Sequence, residues 1–137
     1  MKSIYTLCFL ITLFLFSSCS KKYEERIIGS WNITDVDRNG WGGRTSHLIF
    51  KEGTFTFNSD GSLNFVNSYN VIHQGRWEIR SKHTEEHTYH TLHLTAVDFS
   101  TQQVLTENYD DIWFSSPNHL KAKIHSGFHS YITHFRR

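Results

Sequence analysis

The sequence predicts an all-β domain, an eight-stranded antiparallel up-and-down barrel formed by residues 27–137. Three observations support this prediction. Short runs of alternating apolar and polar residues recur from Ile27 to the C-terminus, turn-forming residues separate them, and no stretch keeps a helical period beyond one or two turns. Short connections place consecutive strands side by side, and closing such a sheet removes both of its edges.

The bounds of the strands follow from the turn residues between them. The clearest hairpin signal is Asn58–Gly61, between Phe55–Phe57 and Ser62–Phe65, because Asn, Asp and Gly tolerate the backbone angles of a tight reversal. Ser126–Gly127 marks another turn, and Ser116–Asn118, which holds the only proline, marks a third. The expected strands are 28–37, 46–57, 62–68, 72–80, 89–99, 103–115, 119–125 and 128–136.

The apolar positions of these strands predict the core. Alternate residues of a strand point to opposite faces, so one apolar set per strand is expected to face inward, although several strands carry apolar residues on both faces. The expected inward residues are Trp31, Ile33, Phe55, Phe57, Leu63, Phe65, Trp77, Ile79, Leu92, Leu94, Leu120, Ala122 and Ile124.

Composition limits the class of protein. With 137 residues, 38% hydrophobic and 20% charged, the chain is long enough for one domain and too apolar for a disordered one. The formal net charge of +1 gives no electrostatic argument for a nucleic-acid partner.

Residues 1–18 have the features of an export signal. Lys2 precedes an apolar run from Leu7 to Phe16, and small residues lead to Cys19. About ten apolar residues span only about 15 Å as a helix, too little for a bilayer core of about 30 Å. Two interpretations remain: an ordinary signal peptide with an incidental cysteine, or a lipoprotein signal that ends at Cys19. Residues 19–26 would then form a tether, or Tyr23–Arg26 would form a helical turn that plugs a barrel end.

Phe16-Ser17-Ser18-Cys19 resembles the lipobox of bacterial lipoproteins, with Phe16 in place of the usual leucine. The resemblance implies cleavage before Cys19, lipidation of Cys19 and membrane attachment through this N-terminal lipid. In enteric bacteria an aspartate after the lipidated cysteine retains lipoproteins at the inner membrane. Here Ser20 follows Cys19, so the resemblance implies an outer-membrane location in the cell envelope. Cys8 would be removed with the signal, so no disulfide is expected.

Gly29-Ser30-Trp31 resembles the G-x-W signature on the first strand of lipocalin-type barrels. The resemblance implies that Trp31 packs at the closed barrel end and that an arginine of the last strand, Arg136 or Arg137, stacks on it. Two further stretches, Phe57–Gly61 and Gly75–Glu78, extend the resemblance. With all three motifs, the chain is similar to small lipocalin-like lipoproteins of Bacteroidetes. That resemblance implies a fold and a location but no particular ligand.

The ten histidines do not have the spacing of a metal site. His90 and His93 are three residues apart and point to opposite faces of a strand, and no H-x-H pair occurs. His119 and His134 can pair only if the turn at Ser126–Gly127 sets a two-residue register. We therefore expect scattered surface histidines, no metal and no cofactor.

No catalytic motif accompanies the carboxylates. Glu85-Glu86 and Asp110-Asp111 are adjacent pairs whose side chains diverge on a strand, so no enzyme activity is expected. Trp41, in the glycine-rich loop Asn39–Gly43, either contacts a ligand or partner at the barrel mouth or folds back on the barrel. The expected function is a lipid-anchored envelope module that holds a small apolar ligand. The alternative is a structural or inhibitory lipoprotein whose loops bind another envelope protein.

Overall fold

The computed structural model describes residues 22–40 and 48–137. The predicted signal segment, Cys19 and Trp41 lie outside these residues. The described chain forms one short helix and nine strands. They are α1 (Tyr23–Ile27), β1 (Gly29–Asn39), β2 (Gly53–Phe57), β3 (Ser62–Val66), β4 (Ile72–His83), β5 (Thr88–Asp98), β6 (Gln103–Tyr109), β7 (Asp111–Ser116), β8 (His119–Ser126) and β9 (His129–Arg136). No helix in the described ranges is long and apolar enough to cross a membrane.

The nine strands form one antiparallel sheet in the order β6-β5-β4-β3-β2-β1-β9-β8-β7. The prediction of an all-β antiparallel fold is confirmed, but the strand count differs from the predicted eight. The expected strand 103–115 is divided at Asp110, and within the described chain no hydrogen-bonded ladder joins its two halves. β6 pairs with β5, and β7 pairs with β8.

Asp110 redirects the chain from one edge of the sheet to the other. Its backbone N–H donates to the carbonyl of Lys123 at 2.8 Å. Its carboxylate accepts the backbone N–H of His125 at 2.7 Å. Both bonds hold Asp110 against β8, so the chain leaves β5 at this residue. A periodic apolar pattern does not reveal such a change of partner, because the alternation continues on both sides of it.

The predicted inward residues form the core or pack against it. Ile33, Trp77 and Ile124 are only partly buried, and the others are buried. An aromatic cluster occupies the centre: the ring centroids of Phe55 and Phe65 are 4.6 Å apart, and Phe50 packs edge-on against both. Core residues outside the predicted set include Ile27, Phe50, Ala96, Tyr109, Ile112, Tyr131 and Phe135.

Helix α1 covers one end of the sheet, here called the α1 end. Ile27 is buried, and its carbonyl accepts the indole N–H of Trp31 at 2.7 Å. Tyr23 stacks on His90 with 3.7 Å between ring centroids, and Arg26 lies 4.1 Å above the ring of Phe114. Of the two expectations for Tyr23–Arg26, a tether or one helical turn, the helical turn is therefore observed.

The opposite end of the sheet is here called the loop end. It is formed by the connections 40–52, 67–71, 99–102 and 127–128, as far as they are described. β2 begins at Gly53, later than the predicted residue 46, although Leu48 and Phe50 are both buried. Leu48 and Phe50 thus enter the core from a segment that belongs to no strand.

Candidate functional site

The predicted tryptophan–arginine pair is present at the α1 end, but its arginine is Arg137. The guanidinium carbon of Arg137 lies 4.1 Å from the ring centroid of Trp31, and Arg137 also donates to the carbonyl of Arg26. Of the two arginines that the resemblance offered, Arg137 makes the contact and Arg136 does not, for a geometric reason. Phe135 is buried, so strand alternation turns Arg136 outward, where it is exposed. Gly29, the first residue of the G-x-W motif, is the first residue of β1 and pairs with Phe57 of β2.

At the loop end, a buried carboxylate holds residues 48–50, here called the strap. Glu107 accepts the backbone N–H of Ile49 at 3.0 Å and that of Phe50 at 3.3 Å. It also accepts the hydroxyl of Tyr109 at 3.1 Å. Burial raises the pKa of Glu107, and these three donors oppose that shift. Burial, with the charge of Glu107 nearby, also raises the pKa of Tyr109. The strap is thus fixed to β6 from inside the sheet.

A cleft of about 270 Å³ opens between the strap and the turn at 67–71. The buried His73 lines it, and the ring of Phe65 lies 5.6 Å from that of His73. The Nδ1 atom of His73 is buried without a hydrogen-bond partner in the described structure. The cleft lining mixes apolar residues such as Leu48 and Leu105 with the charged Lys51 and Glu52, so it suits a small ligand that has both apolar and polar groups.

A second set of unpaired polar atoms lies on the inner face of β1 and β9. These atoms are Arg38 Nε and Nη2, His129 Nδ1 and Thr133 Oγ1. Arg38 is directly opposite the buried Tyr131, and residues directly opposite in a ladder share a face, so Arg38 points inward. Thr133 is 0% exposed, and its hydroxyl faces Tyr109 without making a hydrogen bond of good geometry. We call Arg38, His129 and Thr133 the polar niche.

Gly40 allows β1 to approach the β8–β9 turn closely beside the niche. A Cβ atom on this residue would lie 2.7 Å from His129 Nδ1 and 2.8 Å from the carbonyl oxygen of Phe128. Its φ of 122° also belongs to the region that glycine favours. The predicted mouth loop Asn39–Gly43 therefore starts against β9, while Trp41 lies outside the described residues.

The histidines are mostly paired with polar neighbours. On the outer face, His119 Nε2 lies 3.2 Å from His134 Nδ1, and His134 Nε2 lies 2.8 Å from the carboxylate of Asp37. The turn residues are Gly127 and Phe128, because Ser126 pairs with His129, so the register differs by two residues from the one predicted. His119 therefore lies opposite Arg136 and contacts His134 diagonally across the ladder. Burial, followed by the charges of Arg136, His134 and Lys121, lowers the pKa of His119. The described residues contain no group of three or more metal-ligating side chains.

The adjacent carboxylate pairs do not converge on a common site. Glu85 and Glu86 are exposed in the β4–β5 turn. The carboxylate of Asp110 accepts the backbone N–H of His125, and the Nδ1 atom of the same histidine lies 3.2 Å from it.

The turns of the loop end expose aromatic side chains. Tyr69 is 83% exposed, Phe99 is 69% exposed and Phe128 is 99% exposed. The turns 67–71, 99–102 and 126–128 contain no Asp, Glu, Lys or Arg. Ile49, Ile72 and Val104 extend this exposed apolar surface along the loop end. This asymmetry was not predicted from the sequence, although the predicted up-and-down order places these three turns at one end.

Comparison with known proteins leaves the family of the chain open. No protein-family model matches it, and comparisons with curated proteins and with solved structures found no significant similarity. The functional argument therefore rests on the described residues.

Proposed function

We propose that this protein is a lipid-anchored, lipocalin-like binding module of the bacterial cell envelope that takes up a small ligand at its loop end and catalyses no reaction. The unpaired polar atoms buried at this end carry the proposal. Buried polar groups in proteins are almost always hydrogen-bonded, so the unpaired His73 Nδ1 and the unpaired atoms of the polar niche each favour a bound molecule that supplies partners.

The connection between β6 and β7 supports the barrel part of the proposal. These strands are the two outermost strands of the sheet, yet only Asp110 separates them along the chain. One bent strand that pairs with β5 in its first half and with β8 in its second half would bring the two edges together. In this proposal β6 and β7 are the two halves of the sixth strand of an eight-stranded lipocalin-like barrel.

The position of α1 supports a definite orientation on the membrane. Three residues, 20–22, separate the proposed lipidated Cys19 from Tyr23, and they reach about 11 Å when extended. Strand β9, with eight residues, is about 27 Å long. In the proposed arrangement at the outer membrane, the α1 end lies next to the bilayer and the loop end points away from it.

The packing of the core indicates a short ligand. The α1 half of the interior holds the large buried side chains of Trp31, Phe55, Phe57 and Phe135. A ligand that enters from the loop end therefore meets filled space after a short distance. Trp41 remains a predicted contact at this entrance.

Two experiments test the proposal. Cys19→Ala should leave the protein unlipidated and absent from the membrane pellet, and unchanged fractionation and mass would contradict the anchor. Trp41→Ala should keep the thermal stability of the fold and weaken ligand binding about tenfold, or about 1.4 kcal/mol. A loss of stability with unchanged binding would instead make Trp41 a core residue.

A second candidate function is the binding of another envelope protein. It is favoured by Tyr69, Phe99 and Phe128, since these exposed aromatic side chains lie on turns without charged residues, and exposed aromatic residues are enriched in protein interfaces. A photo-crosslinking residue at position 128 should then give a single crosslinked protein in intact cells, and the same residue at Tyr89, at the other end, should not. Crosslinks that are equal at both positions would count against this function.

A further inference from the structure

We infer that the ligand carries an oxyanion head, a carboxylate or a phosphate, which binds the Nε–Nη2 edge of Arg38. The inference rests on the proposed function, since it assigns a chemical class to the ligand of the loop end. It depends on the side chain of Arg38, its two neighbours in the polar niche, and the absence of a competing carboxylate in the described chain.

Arg38 has two buried donors that point in a common direction. Nε and Nη2 are the two nitrogens on one edge of the guanidinium plane, and both are buried without a hydrogen-bond partner in the described chain. A guanidinium has N–H donors and no acceptor, so only an acceptor atom can satisfy these two groups. Burying them without acceptors is unfavourable, so a bound acceptor stabilises this arrangement.

The spacing of these donors selects the chemistry of the acceptor. Two parallel N–H groups on one guanidinium edge match the two oxygens of a carboxylate or a phosphate, and such bidentate pairs are among the strongest charge-assisted hydrogen bonds. A neutral hydroxyl provides one oxygen and no charge. The oxyanion is therefore the acceptor that satisfies both donors and the charge.

The other two members of the niche add polar contacts. His129 lies two residues before Tyr131, the partner of Arg38, so it belongs to the same inner face of β9. The hydroxyl of Thr133, further along this face, can donate to a third oxygen. His129 Nδ1 is buried without a partner, as the two Arg38 donors are, whereas the hydroxyl of Thr133 also lies beside that of Tyr109.

No carboxylate of the described chain occupies this position. The ion pairs among described residues join Arg80 to Glu78, His125 to Asp110 and His134 to Asp37, and none includes Arg38. Of the two buried carboxylates of the described chain, Asp98 accepts hydrogen bonds from Ser100 and Thr101, and Glu107 already accepts three. Arg38 is therefore left to bind an anion from outside the described structure.

Three probes with the same alkyl chain and different heads test the inference: octanoate, octyl phosphate and 1-octanol. The full chain is placed in lipid nanodiscs, and binding is measured by calorimetry against empty nanodiscs. We expect at least one anion to bind about tenfold more tightly than octanol, and the stronger anion identifies the head as carboxylate or phosphate. Equal binding of octanol and both anions would overturn the inference and leave the proposed function in place. Binding of no probe would overturn both.

Variants locate the anion. Arg38→Gln should weaken anion binding about tenfold and leave octanol binding unchanged, and Arg38→Lys should restore only part of the loss because it keeps the charge without the planar edge. Arg76→Gln, an exposed arginine on β4, is the matched control and should change nothing. If Arg38→Gln does not fold, Arg38→Lys, which keeps the charge but not the planar edge, provides the test through its partial loss of anion binding. Unchanged anion binding in a folded variant of Arg38 would overturn the inference.

Discussion

The guanidinium of Arg137 covers the indole ring of Trp31, with 4.1 Å between the guanidinium carbon and the ring centroid. The same arginine donates to the carbonyl of Arg26, and the indole N–H of Trp31 donates to the carbonyl of Ile27. These contacts connect the last residue of the described chain, the first strand and helix α1. The cation of Arg137 on the face of Trp31 and two hydrogen bonds to the helix backbone therefore join these three parts of the chain.

Removal of this cation should destabilise the fold. A cation on an aromatic face contributes about 1 kcal/mol at a partly desolvated site, so Arg137→Gln should lower the free energy of unfolding by about 1 kcal/mol in urea titrations. Arg136→Gln is the control, because Arg136 points outward, and its effect should be within about 0.5 kcal/mol of zero. Equal effects of the two variants would contradict the assignment of Arg137.

The sequence predicted the sheet better than the site. Arg38 and Glu107, neither of which was predicted as a site residue, show why. Alternation and turn signals placed the hairpin at Asn58–Gly61 and most of the core correctly, because both depend on local order. Arg38 was missed because of a bulge between Ile33 and Asp35, which shifts the register of β1 against β9. Before the bulge the odd-numbered residues Trp31 and Ile33 face inward. After it the even-numbered residues do, so strict alternation from Trp31 places Arg38 outside.

The strap shows a second limit of sequence patterns. Phe50 enters the core from a segment that belongs to no strand, and it is held there by a carboxylate 57 residues further along the chain. A buried glutamate inside an otherwise alternating strand is visible in the sequence only as an irregular position. The backbone N–H groups of Ile49 and Phe50, which compensate the burial of this glutamate, are known only when the fold is known.

Gly75 should be intolerant of any side chain. It pairs with Ala96, and a Cβ atom there would lie 1.7 Å from the carbonyl oxygen of Thr95, which is backbone and cannot rotate away. Overpacking costs about 1–3 kcal/mol or more. Gly75→Ala should therefore lower the midpoint of urea unfolding strongly.

Gly127→Ala is a suitable comparison for Gly75→Ala. Nothing lies within 4 Å of a Cβ atom on Gly127, and only its φ of 61° opposes a side chain, at about 1 kcal/mol. A Gly75→Ala variant that is as stable as Gly127→Ala would show that β4 and β5 are further apart than described.

The lowered pKa of His119 makes stability depend on pH near neutrality. Its pKa in the fold lies below the ordinary value of 6.5, because of burial and the charges of Arg136, His134 and Lys121. The unfolded chain therefore binds the proton more readily, and the contribution of His119 is lost as pH falls below the unfolded-state pKa. We expect the free energy of unfolding to decrease between about pH 7.5 and 5.5, and to decrease less in His119→Gln. An identical decrease in both proteins would mean that other groups cause it.

Glu107→Gln should release the strap without unfolding the sheet. The ionised carboxylate accepts the N–H groups of Ile49 and Phe50 on two different oxygens, whereas a glutamine offers one oxygen and turns its own donors towards the other N–H. Because a hydrogen bond to a charged group contributes about 1.5–3 kcal/mol, hydrogen exchange at one of these two amides should accelerate about tenfold or more. Glu78→Gln, which also removes one negative charge but at an exposed site, should leave both amides protected.

The raised pKa of Glu107 also predicts how the effect of Glu107→Gln on the free energy of unfolding changes with pH. Burial, the larger cause, places the folded-state pKa above the ordinary value of 4.5, although the bonds from Ile49, Phe50 and Tyr109 lower it. The fold therefore binds the proton more readily than the unfolded chain, so the contribution of Glu107 is present below the unfolded-state pKa and is lost as pH rises through the folded-state pKa. Glutamine does not titrate, so the difference in unfolding free energy, wild type minus Glu107→Gln, should fall over this range of pH. A constant difference, together with unchanged exchange at Ile49 and Phe50, would mean that the strap is held by the burial of Phe50 and not by Glu107.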